Sequence, residues 1–118
     1  MMKMWDFMDE IAVLIAAYLK DDTTAQQKLY ALSEDAMVAI MNAYYAGVTN
    51  KQGIALIELT GAIGGFEAMS LLRDVFYFEQ KRADLRHAAA IALRQNRHNL
   101  SQHEQDELDN YFDADDRI

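Results

Sequence analysis

Apolar residues recur along the start of the chain at the spacing of one helix face. Trp5, Met8, Ile11, Ala12, Ile15 and Leu19 follow i, i+3, i+4, i+7 steps, which predicts a helix over about 4–20 with that stripe buried. Asp21, Asp22, Thr23 and Thr24 break the pattern and supply an N-cap for a short helix over about 25–32. Ser33 is placed to cap a helix over 34–46, which Gly47 closes at its C′ position. Asn50 predicts the cap of a helix over 51–63, closed by Gly64 and Gly65. A helix over about 66–80 leads through the basic turn Lys81, Arg82, Ala83 to Asp84, the expected cap of a helix over about 85–96. After a polar loop over 96–100, Ser101 with Glu104 three residues on fits a capping box for a helix over about 102–112. Residues 113–118 read as a fraying tail. No strand pattern competes, so the chain reads as all-α with about seven helices.

Two of these helices repeat one another. DAMVAIMNAYYAG at 35–47 and EAMSLLRDVFYFE at 67–79 lie 32 residues apart. They share Ala36/Ala68, Met37/Met69 and Tyr45/Tyr77, with Asp35/Glu67, Ile40/Leu72, Asn42/Asp74 and Tyr44/Phe76 as conservative pairs. Self-similarity at this period marks stacked helical hairpins, an architecture that mostly binds other macromolecules.

From about 34 to 96 the chain resembles short HEAT-type repeats. Gly61, Ala62, Ile63 and Gly64 look like the family's G-x-I-G helix end, and Glu67, Ala68, Met69, Leu71 and Leu72 like its first helix. Asp84, Leu85 and Arg86, then Ala89, Ala90 and Leu93, look like its second. The pattern departs at Thr60, where the family usually has Leu, at Gly53, where it often has Arg, and in lacking proline. The resemblance implies a HEAT-like solenoid of two hairpins over 34–96. Residues 1–33 would cap it as N-terminal helices and 97–112 as a C-terminal helix, with 113–118 a frayed acidic tail, all within one domain of 118 residues.

Charge sharpens the picture. The net charge is −8. Residues 1–35 hold 7 acids against 3 bases, residues 36–100 hold 5 against 7, and residues 101–118 hold 7 against 1. Acidic ends around a near-neutral middle disfavour direct nucleic-acid binding, which needs concentrated Lys and Arg. They favour a basic protein partner. There is no cysteine, which suits a cytoplasmic protein and leaves no thiol chemistry or zinc-finger spacing. The longest apolar run, 11–19, has nine residues against about 20 for a bilayer span. Asp6, Asp9 and Glu10 in the opening segment are unlike a signal peptide.

No constellation points to catalysis, a cofactor or a metal. His87 sits i, i+3 from Asp84 and His103 sits i, i+4 from Glu107, spacings of local pairs. Ser33, Ser70 and Ser101 lack a nucleophile elbow, and Gly61, Gly64 and Gly65 follow a helix rather than a strand. Asp113, Asp115 and Asp116 lack the glycine and distal glutamate of a calcium loop. Arg73, Lys81, Arg82, Arg86, Arg94 and Arg97 read as counter-charges to the acidic ends. Tyr44, Tyr45, Phe76, Tyr77 and Phe78 are the more informative group. Three consecutive aromatics cannot all enter one core stripe, so part of the cluster must face a neighbouring helix or solvent.

The expected function is a non-catalytic inhibitor that covers the cationic cleft of a basic partner. In size, acidity and helical build the chain resembles acidic immunity proteins of contact-dependent growth inhibition systems, which implies a nuclease toxin domain as partner. The candidate contact residues are Glu104, Glu107, Asp109, Tyr111, Asp113, Asp115 and Asp116, with Tyr45 and Tyr77 as anchors. The alternatives are an adaptor, scaffold or homo-oligomer, then a nucleic-acid mimic, and last a DNA-binding repeat that would need its arginines on one surface.

Overall fold

The helical periods predicted from the sequence appear in the computed structural model, which describes residues 4–115 and the side chains of 10–114. The elements are α1 Met4–Tyr18, α2 Thr23–Leu32, a 3₁₀ turn Ser33–Ala36, α3 Met37–Ala46, α4 Asn50–Ile63, α5 Gly65–Phe78, α6 Ala83–Gln95, a second 3₁₀ turn Arg97–Asn99, and α7 Gln102–Asp115. No strand occurs among the described residues. The side chains of Trp5 and Met8 lie outside those described; of the rest of the stripe Ile11 and Ile15 are buried, Leu19 is half-buried just past the end of α1, and Ala12, contrary to expectation, is exposed.

Helix ends are settled by backbone groups that need partners, and here several expectations shift. Asp22 caps α2, accepting from the amides of Thr24 and Ala25. Ser33 does not cap α3. Its amide bonds back to the Leu29 and Tyr30 carbonyls and its φ is +53°, so it closes α2, and the chain tightens through a 3₁₀ turn before α3 begins. Thr49, not Asn50, caps α4. Its Oγ1 accepts from the Gln52 amide at 3.2 Å while Gln52 Oε1 accepts from the Thr49 amide at 3.1 Å, a reciprocal box that one residue's shift would break. α5 ends at Phe78, because Glu79 turns out of the helix. Glu79 Oε1 then accepts from the Lys81 and Arg82 amides, so α6 starts at Ala83 and Asp84 lies in its first turn, where its charge suits the helix dipole. The Ser101–Glu104 box forms, with amide bonds of 3.2 and 3.1 Å, and α7 runs on to Asp115.

Packing follows chain order. α1 packs on α2 and α3, α2 on α4, α3 on α4 and α5, and α4 and α5 on α6, which in turn meets α7. The molecule measures 52 × 27 × 23 Å. α4 crosses α6 at close range. A Cβ built at Gly61 would lie 2.8 Å from the Ala92 Cβ, and one at Gly53 would lie 2.7 Å from Leu85 Cδ2. Asn96, buried at the end of α6, locks the crossing by donating to the carbonyls of Gly61 at 3.0 Å and Ala92 at 2.9 Å. Thr60 sits in this core because its hydroxyl donates to the Leu56 carbonyl at 2.7 Å, which satisfies a polar group that would otherwise be costly to bury.

The 32-residue repeat is matched in environment. Ala36 and Ala68, Met37 and Met69, Ile40 and Leu72, and Tyr44 and Phe76 are all buried, whereas Tyr45 and Tyr77 are both exposed. The aromatic run 76–78 divides accordingly: Phe76 enters the core, and Phe78 faces solvent.

Candidate interaction surface

α5 buries Ala68, Met69, Leu71, Leu72, Val75 and Phe76. Its opposite side presents Phe66, Ser70, Arg73, Asp74 and Tyr77 at helical steps, with Phe78 at the end. Phe66 is 82 % exposed, Phe78 73 %, and Tyr45, from the end of α3, 55 %. Together with Tyr77 they line one shallow hollow with Ser70, Arg73 and Asp74. Large aromatics are costly to leave in water, and a contiguous exposed group is the usual mark of a contact surface.

Charged groups frame these rings. The Tyr45 hydroxyl donates to Asp74 Oδ2. Burial, then that hydrogen bond and the Asp74 charge, push the Tyr45 phenol far above the ordinary tyrosine range. Arg73 donates from Nε to Glu104 Oε2 at 2.7 Å and from Nη2 to Glu104 Oε1 at 3.3 Å, tying α7 to α5. The Arg73 hydrogen bond holds the Glu104 carboxyl below the usual range, against the upward effect of burial. Burial, then the nearby Glu107 and Glu104 carboxylates, raise the Tyr77 phenol. Glu107 also meets His103 Nε2 at 2.7 Å, the local pair expected from their spacing.

Of the contact residues expected from the sequence, Tyr45, Tyr77, Glu104 and Glu107 are thus brought together around α5. Asp109 is held elsewhere by Arg97, whose Nη1 and Nη2 donate to its two carboxylate oxygens at 2.8 and 3.1 Å. Those bonds lower the Asp109 carboxyl. Tyr111 is half-buried in the packing of α7, edge-on to Phe76 and Phe112 at 5.3 Å each, with its hydroxyl 3.0 Å from His87 Nδ1. Asp113 is exposed. The Asp115 side chain and all of Asp116 lie outside the described residues. The sequence reading did not select Phe66 or Asp74. The spacing of Phe66, Ser70, Arg73 and Tyr77, away from the apolar stripe of α5, is the signal that would have found them.

The arginines of the middle segment are engaged internally. Arg82 donates to the Val48 carbonyl at 2.6 Å, and Arg86 donates to the Phe76 carbonyl at 3.0 Å and covers the Phe76 and Tyr111 rings. Arg94 stacks 4.1 Å from the Phe112 ring centre. Arg86 and Arg94, with Arg73 on Glu104 and Arg97 on Asp109, knit α7 to the rest of the molecule, whereas Arg82 ties the turn before α6 to the turn before α4. Among the described residues, no group of three His, Cys, Asp or Glu side chains could hold a metal ion, and no helix is long and apolar enough to cross a membrane.

A second hollow, of about 450 Å³, lies between α4 and α6, where Ile54, Ala88 and Ile91 meet Glu58, Asp84 and Tyr111. No family model, curated protein or solved structure matches the chain, which leaves its own surfaces as the guide to function.

Proposed function

We propose that this chain is a non-catalytic protein-binding module that uses the exposed side of α5 to engage a basic protein. In its most concrete form it is an immunity protein that covers the cationic cleft of a nuclease toxin domain. The supporting observation is the group Tyr45, Phe66, Tyr77 and Phe78, exposed together and framed by Asp74, Glu104 and Glu107. Aromatic anchors supply slow release and the surrounding acids steer association. The scaffold we infer is a short HEAT-like stack of hairpins. α1 with α2, α3 with α4 and α5 with α6 would form three layers and α7 a cap, in keeping with the chain-order packing and the matched burial of the repeat.

The test is affinity capture in the native host, together with the products of adjacent reading frames. A one-to-one complex with a basic protein is expected, weakened at least tenfold by Phe66→Ala or Tyr77→Ala and sensitive to salt. Capture of the chain by itself alone, or a complex indifferent to both substitutions, would sink this reading. A second reading, an adaptor or homo-oligomer, draws on the apolar lining of the α4–α6 hollow. Substitutions at Ile91, rather than at Phe66, would then abolish binding.

A further inference from the structure

Adjoining the aromatic patch, and sharing Tyr45, Asp74 and Phe78 with it, lies a small cavity of about 270 Å³ whose lining is completed by Tyr44, Gly47, Val75, Glu79 and Arg82. That leaves room for a side-chain head group. Tyr44 is 8 % exposed, and its buried hydroxyl has no hydrogen-bond partner among the described residues. A buried phenol without a partner destabilises a fold, and packing does not require one here. Phe76 fills the equivalent place in the second repeat, also buried and with no hydroxyl at all. The Tyr44 hydroxyl therefore has a use other than packing. It lies within the field of Glu79, Arg82 and Asp74, all of which line the same cavity.

The charges there are nearly all accounted for. Arg82 is held by the Val48 carbonyl at 2.6 Å and by Glu79, whose carboxylate lies 3.9 Å from Arg82 Nε and also caps the Lys81 and Arg82 amides. Asp74 remains, a carboxylate whose Oδ2 accepts from the Tyr45 hydroxyl. The cavity thus offers one uncompensated negative charge and the rings of Tyr45 and Phe78 in its lining, with the Tyr44 hydroxyl, a spare hydrogen-bond acceptor, buried within its wall. That set suits a planar cation that stacks on rings and forks its donors between oxygens.

We propose that this cavity receives the guanidinium of an arginine from the partner protein, between Asp74, the Tyr44 hydroxyl and the rings of Tyr45 and Phe78. The proposal rests on the reading of α5 as a surface for a basic protein and names the group it would grip. An ammonium would use the charge but not the flat faces, and an anion would meet Asp74.

The probe is N-acetyl-L-arginine amide, titrated into the isotopically labelled full chain and followed by amide chemical shifts. Saturable shifts centred on Tyr44, Gly47, Asp74 and Val75 are expected, with the neutral isostere N-acetyl-L-citrulline amide at least tenfold weaker. Tyr44→Phe should weaken the arginine probe roughly tenfold, the worth of one good hydrogen bond, while raising the melting temperature because it removes the orphan hydroxyl. Asp74→Asn should abolish binding. Equal binding of citrulline, shifts at the same residues with N-acetyl-L-glutamate amide, or a Tyr44→Phe protein that binds the probe unchanged would each overturn the proposal. Phe66→Ala lies outside the cavity and separates the two readings. If it abolishes capture of the protein partner while the arginine probe fails on the wild type, the cavity proposal alone falls. If the probe binds but capture ignores Phe66 and Tyr77, the aromatic surface falls and the cavity stands as a site for arginine itself.

Discussion

Tyr44 and Phe76 show how one hydroxyl can separate two otherwise equivalent residues. Both fill the same place in their helices, yet only Tyr44 carries a polar atom into the core without a partner among the described residues. At the same scale, the Arg73–Glu104 pair makes stability depend on pH. The Glu104 carboxyl is lowered in the fold, chiefly by the Arg73 hydrogen bond. Its contribution is therefore fully present above the unfolded-chain value of about 4.3 and is lost as pH falls through the lowered folded value. Arg73→Ala should lower the melting temperature at neutral pH and flatten its fall on acidification. Melting curves between pH 7 and pH 3 check this, and a wild-type profile that stays flat through the acid limb would contradict it. Asp109 is exposed, so its pair with Arg97 is expected to be screened by salt and to matter less.

At the scale of elements, the α4–α6 crossing is set by residues without bulk. Replacing Gly61 by alanine gains about 1 kcal/mol of helix propensity. It also drives a Cβ to within 2.8 Å of the Ala92 Cβ, an atom that cannot swing away. Overpacking of this kind costs about 1–3 kcal/mol, so the clash outweighs the propensity. Gly61→Ala should destabilise the protein in urea unfolding, and Ala92→Gly in the same chain should restore part of the loss. Ala90, fully buried in α6, gives the stronger version: Ala90→Asp places an unpaired charge in the core and should abolish cooperative unfolding. A folded Ala90→Asp protein would show that α6 turns a different face inward. Ser101→Ala removes one side of the capping box of α7 and should cost about 1 kcal/mol.

At the scale of the whole molecule, arginines of the middle segment pair with two acids of α7 while the chain keeps a net charge of −8. Glu104 and Asp109 of α7 are each held in two-pronged contact by an arginine from the middle of the chain. Charge reversal of these acids would therefore unseat α7 before it reported on a partner. The exposed aromatics are the cleaner probe, because Phe66 and Phe78 touch little that the fold needs. Phe66→Ala should leave the melting temperature within about 2 °C while it removes partner binding, as exposed substitutions away from packing usually shift stability by less than 0.5 kcal/mol. Calorimetry alongside the capture experiment checks both halves.

The sequence by itself determined the helical class, the helix spans to within a few residues, the capping box at Ser101 and Glu104, and the repeat that pairs Tyr45 with Tyr77. These are written in patterns no longer than a few helical turns, or in direct self-similarity, and their physics is local. Cap positions differ at Ser33, Asn50 and Asp84 for three reasons: Ser33 closes α2 instead, Thr49 takes the Gln52 amide that Asn50 would have bonded, and the turn held by Glu79 lets α6 begin one residue before Asp84. The tertiary structure alone decided which distant groups meet: Tyr45 with Asp74, Arg73 with Glu104, Arg97 with Asp109, and Tyr44 with a cavity instead of a partner. An acidic residue in a sequence looks the same whether it faces solvent or an arginine from another helix. The difference arises from how the helices pack, which no local pattern encodes.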